Sequence, residues 1–375
     1  GPLFRIFNKA RLSGKNHELL ERRIAALILI TWVPMLLLSI AEGRAWNQSG
    51  VSFISDIDIH ARFLLAMPLF LIAEKVLHAR FFPSIKKFTE RELISEHQLP
   101  EYHQAINTAK AWLNNTWVEV ILILFVYAIG VGGIWRNVSA LEMETWYGVI
   151  NDGYLAPRAA GWWLGLVSVP IFQFLLFRWY FRILVWWRLV WRLSRLDLNL
   201  QPLHPDHAGG LGFLGQLCSA FSVLLVALGA SAAGWIANQI FFNGARLLDF
   251  KWELVAATVI TLFLIVGPLL MFMTRLIDAK RSTLGLYGTL AMQYARDFNA
   301  KWLKQNTNEK EALLGSADIQ SLADLGNSYS ILSLMRSTPF NTRHLIPLVI
   351  AFLAPSAPLL LTMVSLDEIL SRLLE

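Results

Sequence analysis

The sequence predicts an all-α fold: a polytopic bundle of transmembrane helices with about seven spans and a cytoplasmic amino terminus. Three observations predict it. Hydrophobic residues make up 55% of the chain and charged residues only 16%, proportions far outside those of soluble domains. Apolar runs able to cross roughly 30 Å of hydrocarbon, about 20 residues as helix, recur along the chain. Lys and Arg gather in alternate connections, the asymmetry that sets insertion direction. A transmembrane barrel is excluded, because barrel strands of about ten residues alternate polar and apolar positions and these runs are continuous.

Taken in order, residues 1–23 form a basic cytoplasmic segment with Arg5, Lys9, Arg11, Lys15, Arg22 and Arg23. The first apolar run starts at Ile24, extends about 17 residues and has no small-residue cleavage site after it, so it reads as a span and not a cleavable signal peptide. Spans are expected at about 24–41, 61–79, 116–135, 161–187, 214–241 and 253–274. Together they make a six-helix region over 24–274 with cytoplasmic loops at 80–115 and 192–213. Both sides follow from charge: Arg80, Lys86, Lys87, Arg91 and Lys110 fall inside, while Arg44, Arg62, Arg136, Arg158, Arg246 and Lys251 fall outside. Residues 275–343 form a cytoplasmic helical segment, with a helical pattern over Leu284 to Leu303.

Residues 344–375 hold the seventh span, about 344–364, or a re-entrant segment in its place, because Pro355-Ser356-Ala357-Pro358 interrupts it near the middle. Crossing is preferred to return, since a re-entrant backbone needs protein or water to cover its freed polar groups. Ser365 and Glu368 have capping-box spacing, which predicts a short amphipathic helix at the end.

The net charge of +6 is a topology signal. It points to anionic lipid head groups as partners and away from nucleic acid. The one cysteine, Cys218, lies in an apolar run and reads as a buried structural thiol.

Two constellations stand out as candidate sites. From Phe177 to Arg195 the chain is apolar, aromatic and basic at once. At about 100° per residue, Arg178, Arg182, Arg188, Arg192 and Arg195 share an arc of roughly 140°, with Trp179, Trp186, Trp187 and Trp191 opposite. Snorkelling to lipid phosphates accounts for the arginines near the end. Arg178 and Arg182 lie nearer the hydrocarbon, where a charge costs at least about 2.5 kcal/mol and needs a partner. Glu74 and Glu119 sit at comparable depths. These residues read as a conduit lining or as a site for an anion or a lipid head group.

The second constellation is the loop Leu203-His204-Pro205-Asp206-His207-Ala208-Gly209-Gly210-Leu211-Gly212-Phe213. His204, Asp206 and His207 are possible ligands or acid–base groups, but the other histidines are scattered and no metal site or cofactor is expected. The plainer reading makes Asp206 a helix cap and Pro202 and Pro205 turn formers. A phosphate cradle on the glycine-rich turn is a third reading.

This loop, with Ser194-Arg195-Leu196-Asp197-Leu198 before it and a His-Pro-Asp-x-Ala-Gly-Gly-Leu-Gly-Phe core, resembles the signature of a bacterial polytopic inner-membrane family without an assigned activity. The similarity extends through spans one to six, including Pro34 and Glu42-Gly43. It implies a bacterial source and a multi-pass inner (plasma) membrane address, and supplies no catalytic residues.

Span five carries small residues at spacing four, Gly229, Ala233 and Ala237 on one row and Ala230 and Gly234 on another, which suits close packing within or between subunits. Ser231 and Asn238 are its candidate conduit-lining groups, as are Pro355 and Pro358 in the broken final segment. An oligomeric channel or transport protein for ions or small solutes is the leading expectation, assembled as a homo-oligomer. An enzyme acting on a lipid or polyprenyl substrate near the cytoplasmic head groups and a noncatalytic scaffold or sensor subunit are the alternatives.

Overall fold

The computed structural model describes residues 20–46, 50–131, 144–151, 154–303 and 316–363. Helices cover the expected spans among the described residues, and several overshoot the apolar windows. α1 (Leu20–Ala41) holds the first. α2 (Ile57–His60) passes through a π turn into α3 (Met67–Glu90), so the second span lies inside one helical rod and the chain leaves helix only after Glu90. The end of α3 and the whole of α4 (Leu99–Leu113) together occupy most of what the sequence assigned to the 80–115 loop. It meets α5 (Thr116–Phe125) at a bend of 46° at Asn114-Asn115. The antiparallel pair β1 (Gly148–Asn151) and β2 (Tyr154–Pro157) supplies the strands among the described residues.

The rod Ala159–Arg195 contains α6 (Ala159–Trp163) and α7 (Val169–Arg195). Gly212–Asn243 contains α8 (Gly212–Cys218) and α9 (Ser222–Asn243). Leu247–Leu303 contains α10 (Lys251–Val266) and α11 (Met273–Phe298), which folds back through α12 (Ala317–Ser333). α13 (Thr342–Leu353) continues as 3-10 turns over Ala354–Met363 within one apolar rod. Five rods are long and apolar enough to cross a membrane, namely Leu20–Ala41, Ala159–Arg195, Gly212–Asn243, Leu247–Leu303 and Thr342–Met363, or six if the bent pair counts as one span. The rod through α2 and α3 is not among them, because Arg62, Glu74 and Lys75 interrupt its apolar stretch. Seven is reached only by including it. The basic segment 1–19, the outer end of the third span and the expected carboxy-terminal helix lie outside the described residues.

α9 runs through the middle of the bundle, with 67% of its apolar window buried. Its small residues explain the placement. A Cβ on Gly229 would lie 2.0 Å from the Phe352 carbonyl oxygen of α13, and one on Gly234 would lie 2.6 Å from Ala61 Cβ, next to α2. Both small-residue rows are therefore filled inside the chain.

Prolines inside the rods free carbonyls four residues back, and in an apolar solvent each needs a donor. Neighbouring aromatics supply three. Trp163 Nε1 donates to Ile30 O at 3.0 Å beneath Pro34, Tyr127 Oη donates to Leu166 O at 3.2 Å beneath Pro170, and Trp187 Nε1 donates to Leu264 O at 2.7 Å beneath Pro268. These bonds tie α6 to α1, the π turn after α5 to the turn before α7, and α7 to α10.

Candidate functional site

One face of α7 is packed against α3, α4 and α5, and it carries Arg178, Arg182, Arg188 and Arg192. Spacings of four within each pair put the two members one turn apart. The two pairs meet different surroundings.

At the first pair, α3 contributes Glu74 and the opening turn of α5 contributes Glu119, where a carboxylate is favoured by the helix dipole. Asn115 starts that helix by accepting from Trp117 N at 3.0 Å. Arg178 grips Glu74 with both terminal nitrogens, Nη1 to Oε2 at 2.9 Å and Nη2 to Oε1 at 3.4 Å, while its Nε faces Glu119 Oε1 at 3.4 Å. Arg182 Nη2 also donates to Glu74 Oε1, and its guanidinium stands 5.2 Å from the Trp179 ring centre. Arg178 and Glu119 are buried. Arg23 of α1 is also buried and within electrostatic reach of Glu74 and Arg178. The sequence had placed Arg23 with the flanking charges of the first span, so its membership in this cluster was missed. Arg178 and Arg182 thus share Glu74 and Glu119, with the Arg23 guanidinium near them.

At the second pair, Arg188 stacks over the Trp112 ring at 4.4 Å and Arg192 Nη1 donates to Thr108 Oγ1 at 3.5 Å. Among the described residues no carboxylate lies within ion-pairing distance of either. Arg188 Nε is buried and has no hydrogen-bond partner. Arg188 and Arg192 line, with Ala105, Thr108, Ala109 and Trp112 of α4, an open-sided crevice of about 10 Å³, room for about one water. A second crevice of about 10 Å³ lies on the other side of Trp112, beside Glu119, Arg178 and Arg182. Trp112 stands between them, so the four arginines line a groove interrupted at that ring.

The His204-Asp206-His207 loop closes on itself. Asp206 Oδ1 accepts from the backbone N–H of Ala208 at 2.8 Å and Gly210 at 3.1 Å, and Oδ2 accepts from Gly212 N at 2.9 Å, the first residue of α8. His204 Nδ1 accepts from Asp206 N at 3.1 Å. Arg91 reaches in from the end of α3, bonding Asp206 Oδ2 at 3.4 Å and Gly210 O at 2.7 Å. Arg336, from the other side, donates through Nη2 to Asp206 O at 2.7 Å and through its backbone N to His207 O at 2.7 Å. The backbone nest considered as a phosphate cradle is therefore occupied by the chain's own carboxylate. His207, Gly209 and Gly210 take positive φ, and a Cβ on Gly212 would lie 2.9 Å from Asp206 Cβ. Burial pushes the Asp206 carboxyl up, but the three backbone donors and His204 outweigh it and hold it below the usual carboxylate range. Among the described residues no group of three or more His, Cys, Asp and Glu side chains is placed to hold a metal ion.

Ser231 and Asn238 are held by internal contacts. Ser231 Oγ donates to Ala227 O at 3.2 Å within its own helix. Asn238 Oδ1 accepts from Ile57 N at 3.0 Å, and its Nδ2 donates to Asp56 Oδ1 at 2.8 Å. Asp56 Oδ2 in turn accepts from Trp146 Nε1 at 2.8 Å. This buried joint at the far end of the bundle went unseen in the sequence, where its members are 90 and 182 residues apart. Pro355 is half-buried and Pro358 exposed, and the Ser356 hydroxyl between them is buried without a partner.

Comparison with protein-family models, with curated proteins and with solved structures yields no match for this chain.

Proposed function

We propose that this protein is a membrane transport protein, a channel or carrier for small anionic solutes, and that the arginine groove of α7 is where it meets them. One observation carries the reading. Four arginines share a groove and only two have carboxylates, leaving Arg188 and Arg192 with donors to spare. Guanidinium groups lining an apolar passage select for anions, and a charge kept near hydrocarbon without a protein partner costs at least about 2.5 kcal/mol unless something else pairs with it. The proposal includes a homo-oligomer in a bacterial inner membrane with the Arg195 end of α7 in the cytoplasm. The sided distribution of Lys and Arg supports that orientation. Because both small-residue rows of α9 are filled within the chain, copies would meet through other faces. The exposed Val255, Val259, Ile260 and Phe263 of α10 form such a face.

Reconstituted protein should pass chloride or a similar small anion across liposomes. The Arg188→Ala/Arg192→Ala variant should lower that flux about tenfold while remaining folded. Silence across several ions and voltages would sink the reading. A scaffold role is favoured by a different observation: the α11–α12 hairpin exposes Leu286, Leu290, Leu303 and Leu334. It predicts a co-purifying protein that is lost on Leu286→Asp/Leu290→Asp.

A further inference from the structure

We infer that the Arg188–Arg192 end of the groove binds the phosphate of an anionic membrane lipid. The inference rests on reading this face as an anion site and is independent of whether solute crosses. Three features converge. The two guanidinium groups are one helical turn apart with no carboxylate beside them, and the buried Arg188 Nε is an unspent donor. Planar guanidinium forks match phosphate oxygens, and charge-assisted bonds of this kind are among the stronger ones available.

The shape of the mouth favours a lipid over a dissolved anion. Trp112, which borders the mouth, is 40% exposed, and the flanking surface of α7 shows Leu184, 62% exposed, and Trp191, 45% exposed. Tryptophans at the end of a span mark the depth of lipid head groups, so the phosphate level and the arginine level coincide. Acyl chains would then lie along Leu184 and the outer face of α7, whereas a free anion would gain nothing from that surface. The crevice beside Ala105 and Ala109 opens to the surface and has about 10 Å³ of room, which suits one phosphate oxygen entering between the guanidinium groups while the rest of the head group stays outside. A lipid whose head group is net negative supplies what the pair lacks. A zwitterionic one brings its own cation, which competes with the arginines.

The test uses the full-length protein purified in detergent, with phosphatidylglycerol, phosphatidylcholine or inorganic phosphate added. Lipid retention is read by native mass spectrometry and the melting temperature by thermal unfolding. Phosphatidylglycerol should raise the melting temperature by on the order of 3 °C and be retained, and phosphatidylcholine and inorganic phosphate should do neither. Arg188→Ala/Arg192→Ala should lose about tenfold of that retention, Arg188→Lys/Arg192→Lys should recover part of it, and Arg195→Ala, outside the groove, should match the parent. Should the double alanine variant not fold, Arg192→Gln carries the same comparison.

Equal retention of the two lipids, undiminished retention by the variants, or the full shift from inorganic phosphate alone would each overturn the lipid site. Liposome flux in the same two lipids separates this from the transport proposal. Flux without lipid preference removes the lipid site and keeps transport, and lipid preference without flux does the reverse.

Discussion

The arginine groove and the Asp206 loop both look like sites in the sequence, yet they handle polar groups in opposite ways. In the loop, both carboxylate oxygens of Asp206 accept from backbone N–H groups, and Arg91 and Arg336 fasten the loop to two distant segments. Nothing in the carboxylate is left over for a ligand, so the loop is a joint. In the groove, Arg178 and Arg182 are fastened in the same manner, but Arg188 and Arg192 are not. The comparison teaches that residue type does not separate a joint from a site. What separates them is whether the hydrogen-bonding capacity is used up.

Glu74→Ala is expected to have the largest effect, because it strands two guanidinium groups in the bundle. A loss of about 3–5 kcal/mol is expected, read as aggregation in detergent or a collapsed melting temperature. An unchanged melting temperature would mean the upper groove is not a joint at all. Asp206→Ala comes next at about 2–3 kcal/mol, since three backbone donors lose their acceptor. It should leave anion flux per folded molecule unaltered, and a flux change would move the loop into the functional class.

The same carboxylate predicts a pH dependence. Its folded pKa is depressed, so its stabilising effect is present above the unfolded carboxylate pKa and is lost as pH falls through the lower folded value. The melting temperature should drop below about pH 4, and Asp206→Asn should lack that part of the drop. Gly212→Ala should cost about 1–2 kcal/mol, because the added Cβ meets an Asp206 side chain already fixed by three N–H groups. The smallest effect on stability belongs to Arg188→Ala, about 0.5–1 kcal/mol for the lost stacking on Trp112. A large loss there would show that Arg188 is structural after all.

Much of the fold was legible because a bilayer demands length, and apolar length is visible in a sequence. The rods Leu20–Ala41, Ala159–Arg195 and Gly212–Asn243 fall on the windows read at 24–41, 161–187 and 214–241. The helical pattern over Leu284 to Leu303 anticipates the extension of the α11 rod to Leu303, whereas α3 runs on to Glu90 through residues that read as part of a loop. The bend between α4 and α5 was not, because Asn114 and Asn115 punctuate without stating an angle. Proximity of Glu74 and Glu119 to the arginines follows from counting turns along their helices. The contrast between Arg178 and Arg188 does not, since it depends on which helix packs where: Ala105, Thr108 and Ala109 of α4 happen to face the lower pair and offer no charge. Long-range joints such as Asp56, Trp146 and Asn238 leave no local trace.

The aromatic donors beneath Pro34, Pro170 and Pro268 carry an implication for how this sequence can vary. Each proline and its Trp or Tyr form a single exchangeable unit: Trp187→Phe orphans the Leu264 carbonyl while Pro268 remains, but Pro268→Ala gives that carbonyl back a donor from its own helix. Related chains should thus gain or lose the members of each pair together, and a double-mutant cycle between them should show strong positive coupling across two helices that share no charge.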